Sequence, residues 1–346
     1  MSKYQDIIEN IHQKTIIVDA HLDLLSDLYK KHSSGTYNVI VNSYLKEFHS
    51  SGVDVIIAAL FIDSRDLPEA ATRQALAQVG AFYRELECAQ QYINLCRNYR
   101  EIQQTLFEGK IAVLLSFEGA EPLGDNPDLL KVFYELGFRG FGLCWSRKNL
   151  AADGSLYTQL EQGQKAGLSN LGYRLVREAE RLGMIIDVSH LGDEGFEDIK
   201  KITRNPFIAS HSNCRVLHST ERNLSDEQII EIGRRGGVIG VNSCSALIAP
   251  NVEKATLKTL IAHIQHLIDL AGIEHVGLGF DFTTYMNTEK KVMKVGDNKI
   301  PVFDIVKGYA GINELTVELL KQGFTEKEIA LLYGGNLMRL FSEILI

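Results

Sequence analysis

Six residues of this chain have the types that hold metal ions or move protons, and each lies at the end of a short apolar run. His21 and Asp23 follow Ile16–Asp19, Glu118 follows Ile111–Ser116, and His190 follows Met184–Val188. His211 comes directly after Phe207–Ser210, and Asp281 follows His275–Gly279. In His21-x-Asp23 an extended backbone puts both side chains on one side, because the strand period is two. Imidazole and carboxylate together suit a borderline-soft divalent ion such as zinc. Glu118 has two oxygens and could bridge two ions, leaving His190 and His211 for the second. Two cations held close together would acidify a water between them to hydroxide at neutral pH, a nucleophile able to attack an amide carbon. Asp281, in Gly277-Leu278-Gly279-Phe280-Asp281, could carry the proton to a departing amine. The glycines there would let a ligand approach the backbone. Arg222, in Glu221-Arg222-Asn223, has the fork geometry for a substrate carboxylate.

Taken singly, each residue has an ordinary explanation. A His-x-Asp pair can sit in a turn, and Glu118 could be a carboxylate favoured at a helix N-terminus. His190 could be a hydrogen-bonded core histidine, His211 or Asp281 a helix cap, and Arg222 a surface arginine. Position is what joins them. In a barrel of parallel strands the C-terminal ends converge on one face, so residues far apart in sequence can share a pocket. The other histidines, His12, His32, His49, His218, His263, His266 and His275, fall in helical or loop contexts and read as structural or surface groups.

The elements that would position the six are legible as alternation. Eight compact runs rich in Val, Ile, Leu or Phe stand apart from helix-length amphipathic segments: Ile16–Asp19, Val53–Leu60, Ile111–Ser116, Gly137–Leu143, Met184–Val188, Phe207–Ser210, Val238–Asn242 and His275–Gly279. Runs without polar alternation are expected of parallel strands buried on both faces. Ser225 with Gln228, and Thr325 with Glu328, are capping-box pairs, and Gly183 follows Leu182 where a helix should end. The pattern predicts an α/β protein, a (β/α)8 TIM-like barrel in a single domain over residues 1–346, with an open doubly wound sheet as the alternative. Two connections exceed the minimal unit. Asp66–Lys110 should hold two helices, and Thr283–Gly311, with its turn-like Gly296-Asp297-Asn298, should form a loop or hairpin over the barrel mouth.

Composition narrows the function. With 346 residues, 45% of them hydrophobic, the chain can bury a large core. A formal charge of −8 and the absence of a basic stripe argue against nucleic acid or an anionic membrane as partner. Met1–Lys14 reads as an amphipathic helix rather than a signal peptide, and no apolar run reaches the roughly 20 residues of a membrane span, so a cytoplasmic location is expected. The five cysteines are scattered, without CxxC spacing, and read as ordinary thiols.

Several segments resemble the signatures of the membrane (renal) dipeptidase family. They are Val18-Asp19-Ala20-His21-Leu22-Asp23, Ser116-Phe117-Glu118-Gly119, Ile186-Asp187-Val188-Ser189-His190, Ala209-Ser210-His211-Ser212, Arg222-Asn223, Gly279-Phe280-Asp281-Phe282 and the C-terminal run Gly334 to Phe341. The likeness holds in order over nearly the whole chain. It implies a metal-dependent amidohydrolase-like barrel in which His21 and Asp23 bind one zinc, Glu118 bridges, and His190 and His211 bind the other. Arg222 would hold the C-terminal carboxylate of a dipeptide and Asp281 would face the scissile group. Members of the family hydrolyse dipeptides, often accepting a D-residue at the C-terminal side, and commonly form homodimers. Two positions depart from the pattern. Trp145 stands where many members have a histidine after the fourth strand, and Val241-Asn242-Ser243-Cys244 replaces a Val-Asn-Phe-Tyr segment, so Trp145 and Cys244 are expected to line the substrate pocket. Tryptophan keeps an N–H donor but exchanges no proton near neutral pH. Three readings follow: a binuclear zinc dipeptidase, a binuclear enzyme for another small amide or lactone, and a non-catalytic metal-binding barrel.

Overall fold

The computed structural model describes residues 5–156, 165–282, 292–295 and 298–346. The apolar runs pair into a parallel sheet because each has both faces to bury. Its strands are β1 (Ile17–Leu22), β2 (Val53–Phe61), β3 (Ile93–Leu95), β4 (Ile111–Glu118), β5 (Phe138–Gly142), β6 (Ile185–Asp187), β7 (Ile239–Val241) and β8 (Val276–Leu278). The hydrogen-bonded order is β6-β5-β4-β2-β1-β8-β7. Segment 207–210 closes the gap between β6 and β7 through the parallel bridges Asp187↔Ile208 and Ala209↔Ile239. Ile208 N donates to Ile186 O at 2.9 Å, and Gly240 N donates to Ala209 O at 2.8 Å. The ring is therefore a (β/α)8-type barrel, not an open sheet. Its sixth stave, expected as a strand over Phe207–Ser210, is held by single bridges on each side. Packing is closest there. A Cβ on Gly240 or Gly279 would lie 1.9 or 1.7 Å from the Ser210 carbonyl oxygen, so only glycine fits.

Segment 66–110 contains the two expected helices, Ala71–Ala89 and Tyr99–Phe107, and also β3, which sequence reading did not anticipate. β3 pairs with the start of β4, from Ile111 to Val113, while β5 pairs with Leu115 to Glu118. Three residues are too short a run to register as a strand. In the segment Thr283–Gly311, β9 (Val292–Val295) and β10 (Asn298–Pro301) form an antiparallel hairpin. Residues 283–291, Gly296 and Asp297 lie outside the described residues. Both capping boxes form. Among the described residues no helix is long and apolar enough to cross a membrane.

The barrel interior changes character along its axis. On β4 the even residues point inward. Ala112 and Leu114 pack with Val18, Ala20, Val55, Ile57, Ile185 and Ile208, whereas Val113, Leu115 and Phe117 join the outer layer under the helices. One step higher the inward positions become polar. Ser116, Asp187 and Ser210 line a void of about 10 Å³ together with Leu114, Ile185 and Ile208. The next residue inward on β4 is Glu118. At the opposite end the C-terminal helix Asn336–Ile344 plugs the barrel with Leu337, Leu340 and Phe341. The turn before it touches β1 so closely that a Cβ on Gly334 would sit 2.2 Å from Ile16 O. Asn336 Nδ2 donates to Ile273 O and Val276 O at 2.6 and 2.8 Å, tying the plug to the entry of β8.

Candidate metal centre and substrate pocket

Four strand ends bring the predicted ligands together. β1 slips register against β2 between Asp19 and Leu22, and this irregularity aims His21 into the barrel mouth. His190 and Asp281 sit in the left-handed backbone region, at φ 66° and 55°. Asn38 is the only other described non-glycine residue with positive φ. Such conformations are uncommon away from glycine, and here they turn two chemically active side chains back toward the axis.

Glu118 is the hub. Its Oε1 lies 3.0 Å from His190 Nε2, and 3.8 Å from both His21 Nε2 and His211 Nε2. The His190 and His211 Nε2 atoms are 2.8 Å apart, and the His21 and His211 rings stack at 3.7 Å. Asp281 Oδ1 is 4.0 Å from His21 Nε2, while its Oδ2 accepts from Asn242 Nδ2 at 3.1 Å. Among the described residues two ligand groupings emerge, His21 with Glu118 and His211, and His21 with Asp23 and Asp281. Asp281 was expected in this pocket as a proton carrier, and its grouping with His21 and Asp23 as a candidate ligand was not.

Electrostatics favour a cation here. Burial, then the neighbouring Asp23 and Asp281 carboxylates, push the Glu118 carboxyl well above its usual range, although Arg222 opposes this. Burial drives His190 and His211 well below the ordinary imidazole value, aided by Arg222 and His21, so both rings are neutral and have a lone pair to offer. His21 Nε2 and Asp23 Oδ1 are buried without a hydrogen-bond partner among the described residues. Native structures seldom leave such atoms unpaired unless an ion or water completes them. An N/O donor set with crowded carboxylates, neutral imidazoles and orphaned atoms fits divalent ions.

The remaining predicted residues surround this cluster. Arg222 is buried, donating from one terminal nitrogen to Ser212 Oγ and from the other to His211 O, both at 2.7 Å. Its Nε has no hydrogen-bond partner among the described residues. Trp145 is half-buried, with its ring 6.0 Å from that of His190 and edge-on to Phe61 at 5.1 Å. Arg147 lies over the indole at 5.3 Å, donates to Ile62 O and pairs with Glu121 at 3.0 Å, joining the loops after β2, β4 and β5. Cys244 is buried where 243–245 runs antiparallel to 303–305. Its N–H donates to Asn242 Oδ1 at 2.6 Å, and it bridges to Asp304.

Sequence reading missed the groups behind the ligands. Asp19 is fully buried, accepts from Tyr309 OH at 2.7 Å and Phe280 N at 3.0 Å, and links β1 to the β8 end. Asp187 accepts from the backbone N–H groups of Ser189 and Ser210, both at 2.9 Å, and from Ser210 Oγ. Ser146 Oγ contacts His190 Nδ1 at 2.8 Å. One signal was available: Asp19 and Asp187 each stand two residues before a backbone N–H that they accept, at a strand end carrying a histidine.

A closed α/β barrel with clustered imidazoles and carboxylates at its C-terminal strand ends defines a metal-dependent hydrolase type of architecture. Comparison with known proteins agrees. The family model for membrane dipeptidases, peptidase family M19, matches residues 5–345, and the chain belongs to that family. It is 29% identical over 272 residues to the dipeptidase verJ of Clonostachys rogersoniana, covering 79% of this chain and 65% of that protein. An uncharacterized dipeptidase of Schizosaccharomyces pombe is likewise 29% identical, over 78% of this chain and 62% of its own length. The match thus spans less than two thirds of these curated relatives. Among solved structures, a metallopeptidase from Rhodobacter sphaeroides liganded with a phosphinate mimic of L-Ala-D-Ala superposes with a TM-score of 0.81 at 24% identity. That match covers 96% of this chain and 100% of the other. The probable dipeptidase PvdM of Pseudomonas aeruginosa superposes at 0.83, with 22% identity over 99% of both chains.

Proposed function

We propose that this chain, acting as one domain, is a binuclear metal dipeptidase that hydrolyses the amide bond of small dipeptides. The observation carrying this reading is the convergence of three imidazole Nε2 atoms on one Glu118 oxygen beside Asp23 and Asp281. His21 and Asp23 would hold one ion, His190 and His211 the other, with Glu118 shared; the mixed imidazole and carboxylate set suits Zn2+. When bound, the ions supply a water acidified at neutral pH and polarisation of the scissile carbonyl. Arg222 Nε receives the C-terminal carboxylate of the dipeptide, charge on charge in a buried setting. Asp281 takes the proton released in the attack and delivers it to the departing amine, its second oxygen held by Asn242. Trp145 and Cys244 line the walls. Tolerance of a C-terminal D-residue is part of the proposal, supported by the mimic bound to the Rhodobacter structure. The active form is a homodimer in the cytoplasm.

Zinc-replete protein assayed against L,L and L,D dipeptides, lactones and N-acyl amino acids tests the reading. Turnover confined to dipeptides and lost in Glu118→Ala supports it; full activity of that variant sinks it. Preference for a lactone or other small amide would favour the second reading, for which the indole beside His190 is the motive.

A further inference from the structure

The two histidines assigned to the second ion are held by unlike partners, and hydrogen bookkeeping separates them. Asp187 accepts from Ser189 N, Ser210 N and Ser210 Oγ, and as a carboxylate it has no hydrogen to give. The one hydroxyl hydrogen of Ser210 is therefore directed at Asp187. Ser210 Oγ also lies 2.7 Å from His211 Nδ1, a contact it can make only as acceptor. The hydrogen of neutral His211 is then on Nδ1, and Nε2 carries the lone pair, facing Glu118 and His190. Ser189 Oγ completes the arrangement by accepting from His211 N at 3.1 Å, while lying 3.3 Å from Ser210 Oγ. His190 differs. Its Nδ1 contacts Ser146 Oγ at 2.8 Å, a hydroxyl that can donate or accept and that meets no carboxylate among the described residues.

We infer that Asp187 and Ser210 are positioning residues: an Asp187–Ser210–His211 chain presets the imidazole tautomer and ring orientation for an incoming cation, whereas the Ser146 hydroxyl does not fix the tautomer of His190. The inference rests on the two-ion reading above. A carboxylate reaching a ligand histidine through a hydroxyl gives the fixed orientation that a direct carboxylate–histidine contact gives in other metal sites. Asp187 and Ser210 both line the small void beneath the ligands, and Ser210, directly before His211 in the chain, stands between the carboxylate and the ring.

Zinc titration of the metal-free full-length chain against a chromogenic chelator tests it, comparing wild type, Ser210→Ala, Asp187→Asn and Ser146→Ala. Wild type is expected to take up two equivalents. Ser210→Ala should weaken one of them by about 10- to 100-fold and leave the other unchanged. Asp187→Asn should do the same, and Ser146→Ala should fall short of both. Cobalt-loaded Ser210→Ala should also show an altered visible absorption band, which loss of fold stability alone would not produce in the bound form. Two wild-type-like affinities in Ser210→Ala, or equal losses in Ser210→Ala and Ser146→Ala, overturn the inference while leaving the two-ion reading intact. Fewer than two equivalents in wild type overturns both.

Discussion

The two ends of this barrel are built from the same strands and do opposite things. At the C-terminal end the inward side chains are Glu118, His21, His190 and His211, all buried, with like charges crowded and polar atoms left unpaired. At the N-terminal end Leu337, Leu340 and Phe341 fill the bore, and Asn336 satisfies the carbonyls of Ile273 and Val276. One end carries destabilising polar burial held in place by the stability of the other. The comparison teaches that activity and stability should respond to different substitutions.

The largest expected effect is at the ligand end. Glu118→Gln should lower dipeptide turnover by about 10²–10³-fold or more. The metal-free protein should melt no lower than wild type, since a buried carboxyl beside two others is replaced by a neutral amide. Calorimetry of the metal-free protein alongside the assay checks this, and a large loss of stability would break the comparison. At the plug, Gly334→Ala should destabilise by roughly 3 kcal/mol, because its Cβ would meet Ile16 O at 2.2 Å, with kcat unchanged for the folded fraction. Asn336→Ala should cost about 1 kcal/mol by removing two side-chain hydrogen bonds to the entry of β8, again with little effect on KM. Urea denaturation measures both.

His263 sharpens the contrast, since it is buried and polar yet fully partnered. Cys214 N–H donates to its Nδ1 at 3.1 Å, and its Nε2 lies 3.0 Å from Ile248 O, an arrangement that suits neutral imidazole. Burial lowers its pKa from 6.5 to about 4. As pH falls the unfolded chain takes up the proton first. The contribution of His263 to stability is therefore full above pH 6.5 and declines progressively as pH falls to about 4. The decline is on the order of 3 kcal/mol. Denaturation at several pH values should show a shallower slope in His263→Gln than in wild type. The smallest effect expected is loss of the cap at Ser225. Ser225→Ala should cost about 1 kcal/mol in melting and nothing in turnover.

The eight apolar runs, their order and the ligand types at their ends are local properties, and they were readable residue by residue. So were both capping boxes, because a cap depends on four consecutive positions. β3 escaped because three residues give no periodicity. The sixth stave was legible as an apolar run, but whether it closed a ring or left a sheet open depended on pairing with β6 and β7, which local pattern does not encode. In the site, His21, Glu118, His190 and His211 were chosen by chemistry and position, while the supporting Asp19, Asp187, Ser146 and Ser210 were not. Their importance lies in what they touch, and serine and aspartate are too common at strand ends to announce a contact.

By itself, then, the sequence determined which side chains could bind a cation, and that they would emerge from strand ends, because strand period and burial are written in local apolar pattern. Tertiary structure alone decided that the ring closes, that Asp281 stands as a third ligand group beside His21 and Asp23, and that Asp187 reaches His211 through Ser210. The physical reason is distance along the chain. Those contacts join residues brought together only by sheet pairing, where a shift of one residue would turn each inward side chain to the opposite face.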